Sequence, residues 1–349
     1  MTAIGPIHLN RTYFFCPHCR VGDYAVDDRL GFDGRLSERA EQMITLAGVS
    51  QSFRHGCTLL EDLAGWTTCH EVIRRVCYSK AGQLDEQREA ASPEIEPFRQ
   101  AQGGMEFQAD ATKVNTLEGW RDMKIAVFAK RQPGKAATAE QWDKRKLPVP
   151  TARFAFAAIE EIETFSPRWW PWAERLGLAE QTLSVLGDGA DWIWDHAELQ
   201  FGNWRGTLDI YHSSEWLTKL AKAGCGEGTT EAARWLTEAR LALLRDGYLG
   251  LCEYVQQSAE WVPSRSGLES AMAEVLNYFC GHRDRLNYAL RLRRGQPIGS
   301  GMIEGACKQM IGRRMKQTGA QWDVHNANRM ALLCSLAYAD ALPLYFNAA

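Results

Sequence analysis

No stretch of this sequence approaches the roughly 18 consecutive apolar residues that a membrane-spanning helix requires. Its opening, MTAIGPIHLNRTYFF, lacks the basic-then-apolar plan of a secretion signal. These two absences predict a cytoplasmic chain with no membrane partner. No internal repeat or low-complexity tract stands out. The ten cysteines follow no regular framework, so in a reducing compartment they read as small buried hydrophobes rather than disulfides. A net positive charge is also missing: 40 Lys and Arg stand against 43 Asp and Glu, for −3. Taken alone, that balance argues against a nucleic-acid partner.

What is present modifies that picture. A chain of 349 residues, 45% hydrophobic and 24% charged, is an ordinary globular composition with room for two or three domains. The charge is unevenly spread. Between Arg283 and Lys316 nine cations face only Asp284 and Glu304, a local excess of +7 that suits phosphate neutralisation.

The first thirty residues read as short extended pieces around Cys16-Pro17-His18-Cys19. Helical spacing then begins, with Ser37 as N-cap and Leu36, Ala40, Met43, Ile44 and Ala47 on one stripe up to Gly48. A second helix over Ser52 to Leu63, the turn Ala64-Gly65-Trp66-Thr67 and a third helix from Thr68 resemble a helix-turn-helix. The polar run Gln83 to Gln102 reads as a solvated linker, with a boundary near residue 100. From Gly104 the period becomes that of strands. Met105 to Thr112 and Gly119 to Ala129 predict a hairpin, followed by a basic loop (Lys130 to Pro150) and a strand over Ala152 to Ala158. A helix over Ile159 to Leu176, a strand from Gln181 to Leu186, a helix near Trp192, a strand from Thr207 to Ile210 and a helix from His212 to Ala223 complete an α/β alternation. Residues 224–294 read as helices only. The loop Gly295 to Gly301 leads into one helix, Met302 to Thr318, capped by Ser300 and stopped by Gly319.

Asp110 and Asp188 each stand at the end of a predicted strand, and Glu304 lies in the first turn of a predicted helix. An isolated Asp-Gly pair is more often a turn, and a Glu at a helix start is favoured by the dipole anyway. Three convergent acids, by contrast, would suit hard divalent ions and hence phosphoryl transfer. Asp188 follows Asp110 by 78 positions (188 − 110) and Glu304 follows Asp188 by 116 (304 − 188). Only a fold that returns the chain to one spot can bring them together.

The strings DATKVNTLEGWRDMK (from Asp110), VLGDGADWIW (from Val185), LDIYHSSEWL (from Leu208) and PIGSGMIEGACKQMIGRRMK (from Pro297) resemble ISKra-type insertion-sequence transposases, over nearly the whole chain. The resemblance implies a DDE enzyme that cleaves and rejoins DNA, with an RNase H-like catalytic core and an all-helical insertion. It implies that Asp110, Asp188 and Glu304 hold two Mg²⁺ or Mn²⁺ ions. Ala111 follows Asp110 where relatives of that kind carry glycine, and Glu106 and Asp122 are the alternatives in the same hairpin. The organisation expected is a Cys-x-x-Cys piece (1–30), a helix-turn-helix DNA-binding region (31–100), the first part of the core (101–223), the insertion (224–294) and the rest of the core (295–349).

Arg74 and Arg75 on the third helix are the expected readers of terminal inverted repeats. Lys308, one turn after Glu304, with Arg313, Arg314 and Lys316, is expected on DNA phosphates, although a basic helix end also suits the dipole. Asp209 and His212 lie near the metal site or simply start a helix. Trp192 and Trp194 stack on an unpaired base or, more commonly, pack in the core. Cys16 and Cys19 are half of a Zn²⁺ site, to be completed by His8, His18, Cys57 or Cys69 or left incomplete. Joining two transposon ends to target DNA implies a homodimer or larger complex. The competing functions are a structure-specific nuclease of the same fold and a catalytically defective remnant that only binds DNA.

Overall fold

The computed structural model describes residues 1–24, 32–33, 36–178, 181–259 and 267–346. The expected boundary between residues 30 and 31 lies outside them. At its centre is a five-stranded sheet made of β1 (Gly104–Thr116), β2 (Gly119–Arg131), β3 (Ala152–Ile159), β4 (Leu183–Gly187) and β5 (Trp204–Leu208), in the order β3-β2-β1-β4-β5. The β1–β2 hairpin is antiparallel from Gly104↔Arg131 to Thr116↔Gly119, and its tight turn needs Gly119 at φ 104°. β3 continues antiparallel on β2, whereas β4 pairs parallel with β1 and β5 parallel with β4. The chain is therefore mixed α/β.

Alternation along the strands makes both sheet faces apolar. Phe107, Phe128, Phe154 and Val185 point to one face, where they pack with α5 (Trp169–Arg175), α6 (Asp191–Gln200) and α7 (Ile210–Cys225). The same core continues into α8 (Thr230–Ala259), α9 (Leu268–Gly281) and α10 (Tyr288–Arg293), which together occupy the span expected to be all-helical. α8 bends at Gly247, whose φ of 62° and ψ of −140° are far from helical values. Val114, Met123, Ile125 and Val127 point to the opposite face, against α1 (Glu38–Ser50), α2 (Phe53–Ala64), α3 (His70–Ala90), α11 (Gly301–Ala306) and α13 (Val324–Tyr338). The intervening α4 (Ile95–Gln100) and α12 (Arg313–Met315) are short.

Local signals account for α1 to α3. Ser37 accepts from Ala40 N–H, Ser52 accepts from His55 N–H, and Gly65 closes α2 in the left-handed region at φ 65°. The expected linker at Gln83 to Gln102 is instead part of the core. α3 runs on to Ala90, and Leu84, Arg88, Glu94 and Phe98 are buried. Arg88 Nε donates to Glu94 Oε1 at 2.9 Å and its other amine to Ala155 O at 3.0 Å, while Tyr345 Oη donates to Glu94 at 2.6 Å. A polar run can be buried when each charge has a partner, and these partners come from β3 and the C-terminal segment. The helical N-terminal region thus shares one hydrophobic core with the sheet.

The expected helix Ile159 to Leu176 is broken into Ile162–Phe165, a 3-10 turn Ser166–Arg168 and α5. Among the described residues no helix is long and apolar enough to cross a membrane.

A candidate metal centre at paired strand ends

Parallel pairing of β1 and β4 sets Glu106 opposite Ser184 and Gln108 opposite Leu186, an offset of 78 (184 − 106). Asp110 and Asp188 have the same offset, but Asp188 lies one residue past the end of β4, so the two flank the end of that pairing, where the charge of Asp188 acts on Asp110. Glu106, Gln108 and Asp110 share one face of β1 because side chains alternate. Asp188 follows β4 at a turn: its Oδ1 accepts from Ala190 N–H at 3.0 Å and its carbonyl accepts from Tyr278 Oη at 3.2 Å. Gly189 follows at φ 100°, and a Cβ there would lie 2.3 Å from Tyr278 Oη. Tyr278 belongs to α9, so that helix closes over the end of β4.

The segment carrying Glu304 lies on the same face of β1. Ile303 N–H donates to the buried Gln108 Oε1 at 3.0 Å, and Cys307 Sγ lies 3.5 Å from Asp110 Oδ2. The expected single α-helix is interrupted, since residues Cys307–Gly312 form a π-helix between α11 and α12. Ser300 does not cap through its side chain; its N–H and Oγ both donate to Asp209 Oδ2. Asp209 Oδ1 caps α7 by accepting from Tyr211 and His212 N–H. Asp209 is fully buried and its carboxylate is occupied by these four donors, which makes it a positioning residue that ties the Glu304 loop to the start of α7.

The three acids are unequally assembled. Asp110 feels the negative charge of Asp188 and the charge of His212, whose Nδ1 sits 3.3 Å from Glu215. Glu304 stands one turn before Cys307, but its carboxylate is turned to Lys308 Nζ at 3.5 Å. Among the described residues no three His, Cys, Asp or Glu side chains converge closely enough to hold a metal ion as they stand. Burial raises the Asp110 carboxyl above its ordinary range and the neighbouring Asp188 charge adds to this, against an opposing hydrogen bond from Ala111 N–H. Burial likewise pushes the Cys307 thiol up, with Asp110 contributing, and raises Tyr278, with Asp188 contributing. Among the described residues Asp110 makes no ion pair, so a half-buried carboxylate pair of hard oxygens, one charge acting on the other, fits a divalent cation.

A pH dependence follows. A carboxyl raised in the folded state adds stability only while protonated, and that contribution is lost as pH rises through the raised value. Ionised Asp110 is therefore a liability near neutrality. Asp110→Asn is expected to melt above the parent near pH 7, with the gap closing as pH falls to about 3, below the ordinary carboxyl value, where the acid is protonated in both states. Thermal melts across that range in chelator check this, and a gap independent of pH would refute it.

The alternative acids are otherwise engaged. Glu106 is buried and pairs with Arg131 at 3.1 Å, and Asp122 pairs with Lys113 at 2.9 Å. Among the cations, Lys316 Nζ bonds Thr112 Oγ1 and acts on Cys307, which keeps it on the Asp110 face, and Arg313 is exposed. Arg314 is a correction to the expected phosphate contact. It is 4% exposed, its Nε donates to Gly48 O at 2.6 Å, and its guanidinium lies 4.4 Å from the Phe53 ring centroid and 5.0 Å from that of Trp322. It clamps α1 and α2 to the core. Arg314→Ala should therefore cost about 2–4 kcal/mol in denaturant unfolding by stranding a buried acceptor and opening a cavity, whereas Arg313→Ala should stay within about 0.5 kcal/mol.

Arg74 and Arg75 are both exposed on α3, and Arg74 is held by Glu71 at 2.5 Å. Trp194 is buried and stacked on Trp204 with centroids 6.3 Å apart, and Trp192 packs near Trp169, so both serve the core. Cys16 and Cys19 sit exposed at the tip of a small hairpin pairing Phe14–Phe15 with Gly22–Asp23. Hydrogen bonds from the Cys19 backbone and thiol hold the Cys16 thiol below its ordinary range. Cys57 interacts with Cys69 instead of joining that tip.

Sequence reasoning does not mark Cys307, Gln108 or Tyr278 as site residues. Cys307 carries a usable signal, since it follows Glu304 by three positions on a helix. Gln108 and Tyr278 depend on contacts from distant segments. No family model and no curated protein matches the chain.

Proposed function

We propose that this chain is an insertion-sequence DNA transposase of the DDE type, with an RNase H-like core and a helix-turn-helix end-recognition region. The observation that carries the reading is that Asp110 of β1 and Asp188, just past the end of its parallel neighbour β4, are close enough for one charge to act on the other, with the Glu304 segment seated on the same face of β1. The order β3-β2-β1-β4-β5, antiparallel on one side of β1 and parallel on the other, agrees with the core that the transposase resemblance implies. The helices α8, α9 and α10 described between α7 and the Glu304 loop agree with the insertion it implies as well.

Asp110 and Asp188 would hold divalent ions directly, and Glu304 would join them by rotating away from Lys308, a side-chain move on an exposed helix start. Two Mg²⁺ or Mn²⁺ ions bound there would activate the attacking oxygen and stabilise the leaving one. Lys308, released from Glu304, and Lys316 would be available to a phosphate held there. His212, at the N-terminal end of α7, adds positive potential when protonated. Tyr278 holds the Asp188 turn, and Asp209 holds the Glu304 loop. Arg74 and Arg75 would contact the transposon ends, and joining two ends requires at least a dimer.

The test is incubation of the protein with duplex carrying its element's ends, with and without Mg²⁺ or Mn²⁺. Metal-dependent cleavage followed by joining of the freed 3′ end to a second duplex is the expected result. Cleavage without joining would indicate a structure-specific nuclease, and binding without cleavage a defective remnant.

A further inference from the structure

The loop between β2 and β3 carries a feature the catalytic reading does not use. An open groove of about 880 Å³ is lined by Lys135, Lys144, Arg145 and Lys146, with Gln141 and Pro148 among its other walls. No acid lines it among the described residues. The two acids of this loop face away from it: Glu140 pairs with Arg245 at 2.6 Å, and Asp143 acts on Arg240, both arginines of α8. Four cations are thus left without local counter-charges, and Lys135, Lys144 and Lys146 are exposed.

The groove is built on a rigid floor. Gly134 N–H donates to Gly295 O at 2.9 Å, and a Cβ on Gly295 would fall 2.0 Å from Gly134 O, so the two backbones touch. Arg145, half-buried, donates to Gln296 O at 2.7 Å, and Ala137 N–H donates to Leu292 O at 3.0 Å. One end of the loop reaches the candidate metal centre: the Trp142 ring lies 5.7 Å from that of Tyr211, next to His212, and Gly299 packs under Tyr211.

We propose that this groove binds the phosphate backbone of the target duplex, sequence-independently, and leads it toward the Asp110–Asp188 pair. The inference rests on the transposase reading. It assigns to the β2–β3 loop the contact with DNA that lacks inverted repeats, distinct from the contact expected of Arg74 and Arg75. Point cations on a fixed floor, without a shaped pocket for a base, suit backbone contact rather than base readout.

The experiment measures binding of the full-length protein to a duplex without element ends across a KCl series. The Lys135→Ala/Lys144→Ala/Lys146→Ala variant should bind roughly 10–100-fold more weakly near 0.1 M salt, with the slope of log K against log salt shallower by about 2 to 3. A control that removes three cations elsewhere, Lys219→Ala/Lys222→Ala/Arg234→Ala, should keep the parent slope. Because all three groove lysines are exposed, the variant should melt with the parent. A parent-like slope in the groove variant, an equal change in the control, or tighter binding of duplex RNA than of DNA overturns the groove and leaves the transposase reading standing. Failure of the parent to bind any duplex overturns both.

Discussion

Replacing Asp188 with asparagine is expected to lower metal-dependent cleavage of end-containing DNA by about 10³-fold, the loss of several kcal/mol of charge stabilisation at the reacting phosphate. The substitution is chosen because it isolates charge from structure. Asparagine keeps the Oδ1 that accepts from Ala190 N–H, so the turn after β4 and the Tyr278 contact to the Asp188 carbonyl should survive. Duplex binding in chelator and the melting temperature should then match the parent. The charge of Asp188 acts on Asp110, and losing one of these two neighbouring carboxylates removes hard-oxygen charge that divalent ions require. Full activity in Asp188→Asn would remove the pair from the chemistry.

The second large effect is on stability. Asp209→Ala should cost about 3–5 kcal/mol, because four donors, the two of Ser300 buried, lose one buried charged acceptor at once. Two of these donors are the N–H groups of Tyr211 and His212 at the start of α7, and two are the N–H and Oγ of Ser300 at the entry to α11. Asp209→Asn separates the halves. Its remaining oxygen can still cap α7, while its amide nitrogen would face the Ser300 N–H, so this variant should keep much of the helix stability and lose the loop tether. Denaturant midpoints for the two variants, read beside cleavage rates, distinguish capping from positioning. Both should lose activity, and Asn should lose less stability than Ala. An unchanged midpoint in Asp209→Ala would mean that the Glu304 loop is held by something else.

Much of the architecture is legible locally. Ser37, Ser52 and Gly65 mark helix ends through groups within a few residues of each, and the hairpin is visible because alternation and Gly119 are both short-range signals. The errors fall where partners are remote. Gln83 to Gln102 looks solvated until Arg88 meets Ala155 O and Glu94 meets Tyr345. Arg314 looks like a phosphate ligand until Gly48 and the rings of Phe53 and Trp322 surround it. Ser300 looks like a helix cap until Asp209 takes both its donors. In each case composition names a polar group, and burial with a distant partner decides its role.

The carboxylates divide along the same line. Their identity and the order of elements around them are properties of the sequence itself, since caps, turns and periodicity act over a few residues, whereas Asp110, expected at a strand end, lies midway along β1. Tertiary structure alone decides that the turn after β4 brings Asp188 near Asp110 of the parallel neighbour β1. It also decides that Cys307 Sγ reaches to 3.5 Å from Asp110 Oδ2 while Glu304, one turn earlier, is turned to Lys308. The physical reason is register. The offset of 78 between β1 and β4 is set by apolar side chains packing on both faces of the sheet, from segments far apart in the chain, and no short window of sequence contains it.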